Sequence, residues 1–209
     1  MTPEVRAALK AIDLQFDAVR AMPAPVPAGE RHRLGITDVY AGGYIRVAGQ
    51  LFRVIERSRY REKHSSWFEL ELLGLSTGET LYLEWEVDDE VQVSLNGPPL
   101  SLPAIGHSAD EIEEMSDAED GEIEYAGRTY LYDDDYGARY LRGDPALGAG
   151  AGAGEGESVY FYDFETRDER YCLCVEEWGD QDSGYEYQVY VSEYIDPHSI
   201  EVLVSGDAP

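Results

Sequence analysis

The sequence contains little cysteine, little lysine and no long apolar run. Cys172 and Cys174 are the only cysteines among its 209 residues. Two residues apart on a strand, their side chains would point to one face and could not easily form a disulfide. The sequence shows no signal-peptide pattern and no stretch near the roughly 20 apolar residues that span a bilayer. We therefore predict a cytoplasmic protein without membrane insertion.

Basic residues are also scarce. The chain has 16 lysine and arginine residues against 43 acidic residues, for a formal net charge of -27. Residues 64–127 hold 17 of the acids and no lysine or arginine. Such a surface repels nucleic-acid phosphates and anionic lipids, so we predict no nucleic-acid binding and favour a basic partner. The alternative is that the acids only keep the protein soluble.

The motifs of common catalytic and cofactor sites are absent from the sequence. Its four histidines are scattered, without the spacing of zinc ligands. No nucleophile elbow, metalloprotease helix motif or phosphate-binding loop occurs. We therefore predict no catalytic residue and no cofactor, and we interpret the protein as non-catalytic.

Two clusters of aspartates, each followed by a glycine, resemble parts of a calcium-binding loop. The first supplies Asp133 and Asp135, and the second supplies Asp180 and Asp182. Both lack the glycine at position six and the glutamate at position twelve of an EF-hand loop. Such runs more often form turns, so a metal site at these residues is only an alternative interpretation.

Residues 1–22 predict an amphipathic helix. Apolar residues follow one another at spacings of four and three, which places them on one helical face: Val5, Leu9, Ile12, Phe16 and Val19. The prolines of a linker at residues 23–33 end the helix. The apolar stripe either packs onto the protein's own core, which we favour, or docks a partner.

After residue 36 the apolar residues alternate with a period of two, which is typical of half-buried strands. Phe68 and Leu70 share one face, while Trp67 and Glu69 share the other. The same alternation places Glu84 on a polar face. We expect antiparallel strands whose polar face is solvated.

The sequence predicts a mainly β fold with two related antiparallel β modules, barrel-like or sandwich-like, behind the N-terminal helix. The first module covers residues 34–104 and the second covers residues 122–205. An acidic connector at residues 105–121 joins them, and the second module contains a Gly/Ala-rich loop at residues 147–157.

Short matches indicate that the two modules are repeats. Residues 45–52, IRVAGQLF, resemble residues 123–130, IEYAGRTY. Residues 79–83 resemble residues 169–173 in the same way. A duplicated β module explains both matches.

Basic side chains gather in one short segment of this acidic chain, at residues 53–63. Its centre holds Arg57, Arg59 and Arg61. The segment could dock an anion or a partner. The interpretation we favour slightly is that it lies against the acidic connector and relieves charge repulsion.

Longer runs in both modules resemble the bacterial domain of unknown function 4178 family, over about residues 34–204. The runs that carry the resemblance are residues 43–54, 67–73, 79–85, 127–130, 160–164, 173–178, 187–191 and 195–200. The resemblance implies a β fold and supplies no activity, cofactor or catalytic residue. The gene neighbourhoods of the family imply a role in envelope stress or in polyamine-linked physiology.

Three hypotheses about function remain open. The first is an adaptor that docks a basic protein partner through the acidic surface and the N-terminal apolar stripe. The second is a module that binds a small cation, either a polyamine or a metal ion, between carboxylates and aromatic rings. The third, which we rank last, is a nucleic-acid mimic.

Overall fold

A computed structural model of the protein describes residues 2–143, 156–180 and 184–207. The helices in these residues are α1 (Pro3–Ala21) and α2 (Ala109–Ala118), with short 3-10 helices at Arg31–Arg33, Ile36–Asp38, Leu102–Ala104 and Pro197–Ser199. The strands are β1 (Tyr44–Val47), β2 (Gln50–Arg61), β3 (Ser66–Gly74), β4 (Thr80–Val87), β5 (Val91–Asn96), β6 (Glu122–Tyr125), β7 (Arg128–Leu141), β8 (Glu157–Glu165), β9 (Tyr171–Asp180), β10 (Gly184–Tyr194) and β11 (Glu201–Val204). None of the helices in the described residues is long and apolar enough to cross a membrane.

The described strands form one antiparallel sheet that closes on itself. Its strand order is β11-β1-β2-β3-β4-β5-β10-β9-β8-β7-β6. An additional pairing joins residues 59–61 of β2 to residues 139–141 of β7, so eight strands form a closed ring. This mainly β architecture with an N-terminal helix confirms the predicted fold class.

The sheet contains two similar halves, the first half (β1–β5) and the second half (β6–β10), and each half contributes four strands to the ring. Each half begins with a hairpin whose two-residue turn has positive φ at both positions. The φ values are 48° and 81° at Ala48 and Gly49, and 50° and 77° at Ala126 and Gly127. This conformation matches the right-handed twist of the strands, and glycine adopts it without steric cost. The shared turns support the predicted repeat.

A β-bulge occupies the same position in both halves. The register shifts between Val54 and Glu56 in β2 and between Tyr132 and Asp134 in β7, six residues after the turn glycine in each case. A bulge bends its strand and breaks the ladder locally. Each bent strand therefore pairs with its own hairpin partner before the bulge and with the other half after it.

Each half packs its outer face around a separate apolar core, and each core also receives a segment from elsewhere in the chain. Ile105 and Ile112, which follow β5, pack in the core of the second half. The last strand, β11, pairs with β1, and Val202 packs in the core of the first half. The structure thus places β11 beside the first half, although the predicted second module extended to residue 205.

The polar face of the strands is turned inward, which corrects the expectation of a solvated face. Trp67 is 8% exposed and Glu69 is 7% exposed. Alternation along a strand defines two faces, but it does not determine which of them meets water. The pairing of β2 with β7 closes the ring around the polar face, and the two apolar cores cover the outside.

Candidate functional site

A cavity of about 350 Å³ lies within the closed ring. This volume is within the range of small-molecule sites. Both halves of the sheet contribute side chains to its wall. The described residues that line the cavity include no lysine, arginine or histidine, but they include six acids: Glu62, Glu84, Glu86, Asp134, Asp163 and Glu176.

Four acids from four strands lie at this site, and we call them the acid cluster: Glu69, Glu84, Asp163 and Glu176. Glu84, Asp163 and Glu176 line the cavity, and Glu69 lies opposite Glu84 on the neighbouring strand. Glu69 and Glu176 are buried, and the cavity-lining Glu84 and Asp163 are half-buried. Each accepts a hydrogen bond from a neutral donor. The pairs are Asn96 Nδ2 to Glu84, Tyr60 OH to Glu69 (3.4 Å), Tyr136 OH to Asp163 (3.0 Å) and Trp178 Nε1 to Glu176 (2.8 Å).

The pKa of every acid in the cluster is raised, because burial removes water from the charged form. Burial raises the pKa of Glu84 to about 7, and the charge of Asp163 adds to this effect. Burial raises the pKa of Asp163 to about 6 and that of Glu176 to about 8. Burial, followed by the charges of Glu84 and Glu176, raises the pKa of Glu69 well above its usual range. The acid cluster is therefore partly protonated near neutral pH.

Aromatic rings from both halves meet at one side of the cavity, where the ring of strands closes. Trp67 stacks on Tyr60, with ring centroids 5.1 Å apart. Phe161 stacks on Tyr136 at 5.2 Å and meets the edge of Trp67 at 5.5 Å. Trp67, Tyr136 and Phe161 all line the cavity. The acid cluster thus lies beside π surfaces that attract cations.

The arrangement favours a cationic ligand with more than one charged group. The acid cluster receives hydrogen bonds from neutral donors, so its own charge is not cancelled by them. Within the described residues, no three histidine, cysteine or acidic side chains form a group that could hold one metal ion. Separated carboxylates beside aromatic rings suit an extended organic cation better than a compact ion.

The sequence matches a family model over most of the chain. Residues 40–197 match the family model of the Domain of unknown function (DUF4178). The chain belongs to this family. The match runs from before β1 to beyond β10, so it covers both halves and the cavity between them. No curated protein and no solved structure matches the chain.

Sequence reasoning missed the acid cluster of this DUF4178 protein. The available signal was Glu84, which follows the strand alternation in a segment without lysine or arginine. An acid at a regular strand position with no basic residue nearby is compatible with a solvated face and with an enclosed one. The two differ only in long-range pairing, which one sequence does not display.

The N-terminal apolar stripe lies on the outer side of α1, so the favoured expectation that it packs onto the core was wrong. Its five residues are 45–60% exposed. The opposite side of α1 contacts the body through Ala18 and Gln15. Tyr44 OH donates to the Ala18 carbonyl oxygen at 2.6 Å, and Gln15 Nε2 donates to the Leu75 carbonyl oxygen at 3.4 Å. Small and polar residues thus attach the helix, and the stripe stays available to a partner.

The three central arginines of the basic segment have different environments. Arg57 is buried, donates from Nη1 to the Val39 carbonyl oxygen at 2.9 Å and lies 4.4 Å from the Phe68 ring centroid. Arg57 therefore packs against the core of the first half and is not accessible to a docking partner. Arg59 and Arg61 are half-buried and line a surface pocket that shares Glu62 and Glu86 with the cavity.

The aspartates considered as metal ligands do not form a common site in the described residues. Asp133 and Asp135 lie within β7 rather than in a turn, and the β-bulge of this strand falls between Tyr132 and Asp134. Three hydroxyl groups donate to Asp135: Tyr132 OH (2.6 Å), Ser116 Oγ (2.7 Å) and Tyr160 OH. Asp180 ends β9. Asp182 and most of the Gly/Ala-rich loop at residues 147–157 lie outside the described residues.

Proposed function

We propose that this protein is a non-catalytic cytoplasmic module that binds a small organic cation of the polyamine class in the cavity. The observation that carries the proposal is the cavity that Glu84, Asp163 and Glu176 line together, whose described lining contains no basic side chain. Ammonium groups among these carboxylates would offset their mutual repulsion. The methylene chain between ammonium groups would contact the aromatic wall at Trp67 and Phe161.

A polyamine fits this site better than a divalent metal ion. Calcium needs six to eight oxygen ligands within about 2.6 Å, whereas the described acids form no group that could hold such an ion. A linear amine distributes its charges along its length and can reach carboxylates on several strands. The cavity volume of about 350 Å³ accommodates a molecule of this size.

Isothermal titration calorimetry with spermidine and with calcium chloride at moderate salt tests the proposal. We expect spermidine to bind and calcium to give no comparable heat. The double variant Glu84→Gln/Glu176→Gln should weaken spermidine binding at least tenfold, because it removes two charges from the cavity. Glu114→Gln, at an exposed position of α2, is the matched control and should bind as the wild type does. Equal binding by the double variant would place the ligand elsewhere and refute the proposal.

The exposed stripe of α1 favours a second candidate function, an adaptor that docks a basic protein partner. The stripe is accessible along the helix, and the net charge of -27 favours a partner of opposite charge. An envelope-stress role, which the family resemblance implies, belongs to this candidate. Capture of partners by the full chain and by a chain lacking residues 2–22 tests it. Loss of a stoichiometric basic partner on deletion supports docking by α1, and unchanged capture excludes it.

A further inference from the structure

We propose that the cavity exchanges protons for its cation, so that loading the site expels protons that the acid cluster shares in the empty protein. The inference rests on the proposed function, since it concerns the same cavity and the same ligand. It adds a mode of regulation, because occupancy then depends on pH as well as on ligand concentration.

The strands β3, β4, β8 and β9 place the four carboxyl groups of the acid cluster where their charges act on one another. Glu69 lies directly opposite Glu84 on neighbouring strands. The charge of Glu84 acts on Glu176 across the ring, and that of Asp163 acts on both. Like charges that act on one another in this way, away from water, do not all ionise together. In the empty cavity the cluster therefore retains shared protons.

The neighbouring strands surround the acid cluster with groups that are neutral at physiological pH. Tyrosine hydroxyl groups face it from β2, β4, β7 and β10: Tyr60, Tyr82, Tyr136, Tyr140, Tyr190 and Tyr194. The two thiols of β9, Cys172 and Cys174, also face it, and burial raises the pKa of both. These groups donate hydrogen bonds or add bulk without adding positive charge.

Within the described residues, the other titratable groups that act on the acid cluster or line the cavity with it are acids. They are Glu62 after β2, Glu71 of β3, Glu86 of β4, Asp133 and Asp134 of β7, and Glu165 of β8. Each of them favours proton retention when it is ionised. The strands around the cluster thus supply neutral donors and further negative charge, and protons are the charges that relieve repulsion in the empty site.

A cationic ligand reverses this balance. Amine groups with a pKa near 10 enter as ammonium ions at pH 6–8, and each ammonium charge stabilises a neighbouring carboxylate. A carboxyl group that was protonated then releases its proton to solvent. The positive charge of the bound ammonium group thus replaces that of the proton. The raised pKa values of about 6, 7 and 8 place this exchange near neutral pH.

Calorimetry in two buffers of different ionisation enthalpy measures the exchange directly. Spermidine is titrated at pH 7 in phosphate and in Tris, and the difference in apparent heat gives the number of protons released. We expect about one proton or more per spermidine, and an affinity that falls up to tenfold per pH unit below about pH 6 for each proton displaced. Binding with the same heat in both buffers overturns the exchange and leaves the proposed function standing. Absence of binding refutes both.

The site of proton release is tested with matched variants. Glu84→Gln should release fewer protons than the wild type, whereas Glu114→Gln should release the same number. If Glu84→Gln fails to fold or to bind, carboxyl ¹³C chemical shifts of the ligand-free wild type provide a second measurement. At least one carboxyl group should titrate above pH 6, and its pKa should fall when spermidine is added. Titration of every carboxyl group below about pH 5 contradicts the inference.

Discussion

Glu84 and Glu176 occupy equivalent positions in the two halves of the sheet. In the first half, Glu71 pairs with the residue that follows the β-bulge of β2 and, on its other side, with Tyr82. In the second half, Asp163 pairs with the residue that follows the β-bulge of β7 and, on its other side, with Cys174. Glu84 follows Tyr82 by two residues along β4, and Glu176 follows Cys174 by two residues along β9. The charge of Glu84 contributes to the raised pKa of Glu176, after burial. Packing the halves against each other thus brings the like charges of the two glutamates to the same cavity.

We expect the ligand-free protein to become more stable as the pH falls from about 8.5 to about 5.5. The pKa values of Glu84, Asp163 and Glu176 in the folded state, about 7, 6 and 8, exceed their ordinary values. The folded state therefore binds more protons than the unfolded state in this window, and stability is lost as the pH rises through the folded-state values. Urea unfolding at pH 5.5, 7 and 8.5 measures the trend. A free energy of unfolding that increases with pH contradicts it.

Glu84→Gln should stabilise the ligand-free protein at pH 8.5 by about 2 kcal/mol, because it replaces a half-buried charge beside other acids by a neutral group of the same shape. The amide oxygen can still accept from Asn96 Nδ2. At pH 5.5, where Glu84 is protonated, we expect almost no difference. Glu114→Gln serves as the exposed control at both pH values. Destabilisation by Glu84→Gln at pH 8.5 would show that the carboxylate is held by compensating contacts.

Arg57→Ala should lower the free energy of unfolding by about 2 kcal/mol. The substitution removes the donor to the Val39 carbonyl oxygen and the guanidinium that packs on Phe68 and Trp85. Arg61→Ala, at a half-buried position of the same strand, is the matched comparison and should change stability by less than about 1 kcal/mol. Urea denaturation measures both variants. Equal effects would mean that the burial of Arg57 contributes nothing particular to the fold.

On α1, Phe16→Ser should leave thermal stability unchanged, because the Phe16 side chain is 60% exposed. Ala18→Asp should release the helix from the body, because Ala18 is fully buried and a carboxylate there would lose its hydration. Limited proteolysis at Arg20 reports the release. We expect rapid cleavage in Ala18→Asp and wild-type protection in Phe16→Ser. The opposite order would show that the apolar stripe, rather than Ala18, attaches the helix.

Local structure could be predicted from the sequence where interactions between nearby residues determine it. The apolar spacing from Val5 to Val19 predicted α1, and the alternation around Phe68 and Leu83 predicted β3 and β4. The resemblance between residues 45–52 and 123–130 marked the two hairpins that open the halves. In each case the signal and the structure lie within one or two elements.

The candidate site was not predictable because it depends on pairings between distant segments. Tyr60 lies opposite Tyr140 only because β2 and β7 bend at their bulges and meet. That contact closes the ring beside Tyr60, whose hydroxyl group donates to the buried Glu69. For α1, the pattern correctly identified an apolar side but could not show that Ala18 and Gln15, rather than this side, would make the attachment.

The cavity between the halves has a consequence for how the protein can be divided. Its wall takes Glu84 from the first half and Glu176 from the second, so neither half contains the site alone. The core of each half is also completed by a segment from the far end of the other half, as Val202 shows. Folding and the formation of the cavity are therefore properties of the whole chain. A unit made of one half alone would need to self-associate to form a comparable cavity.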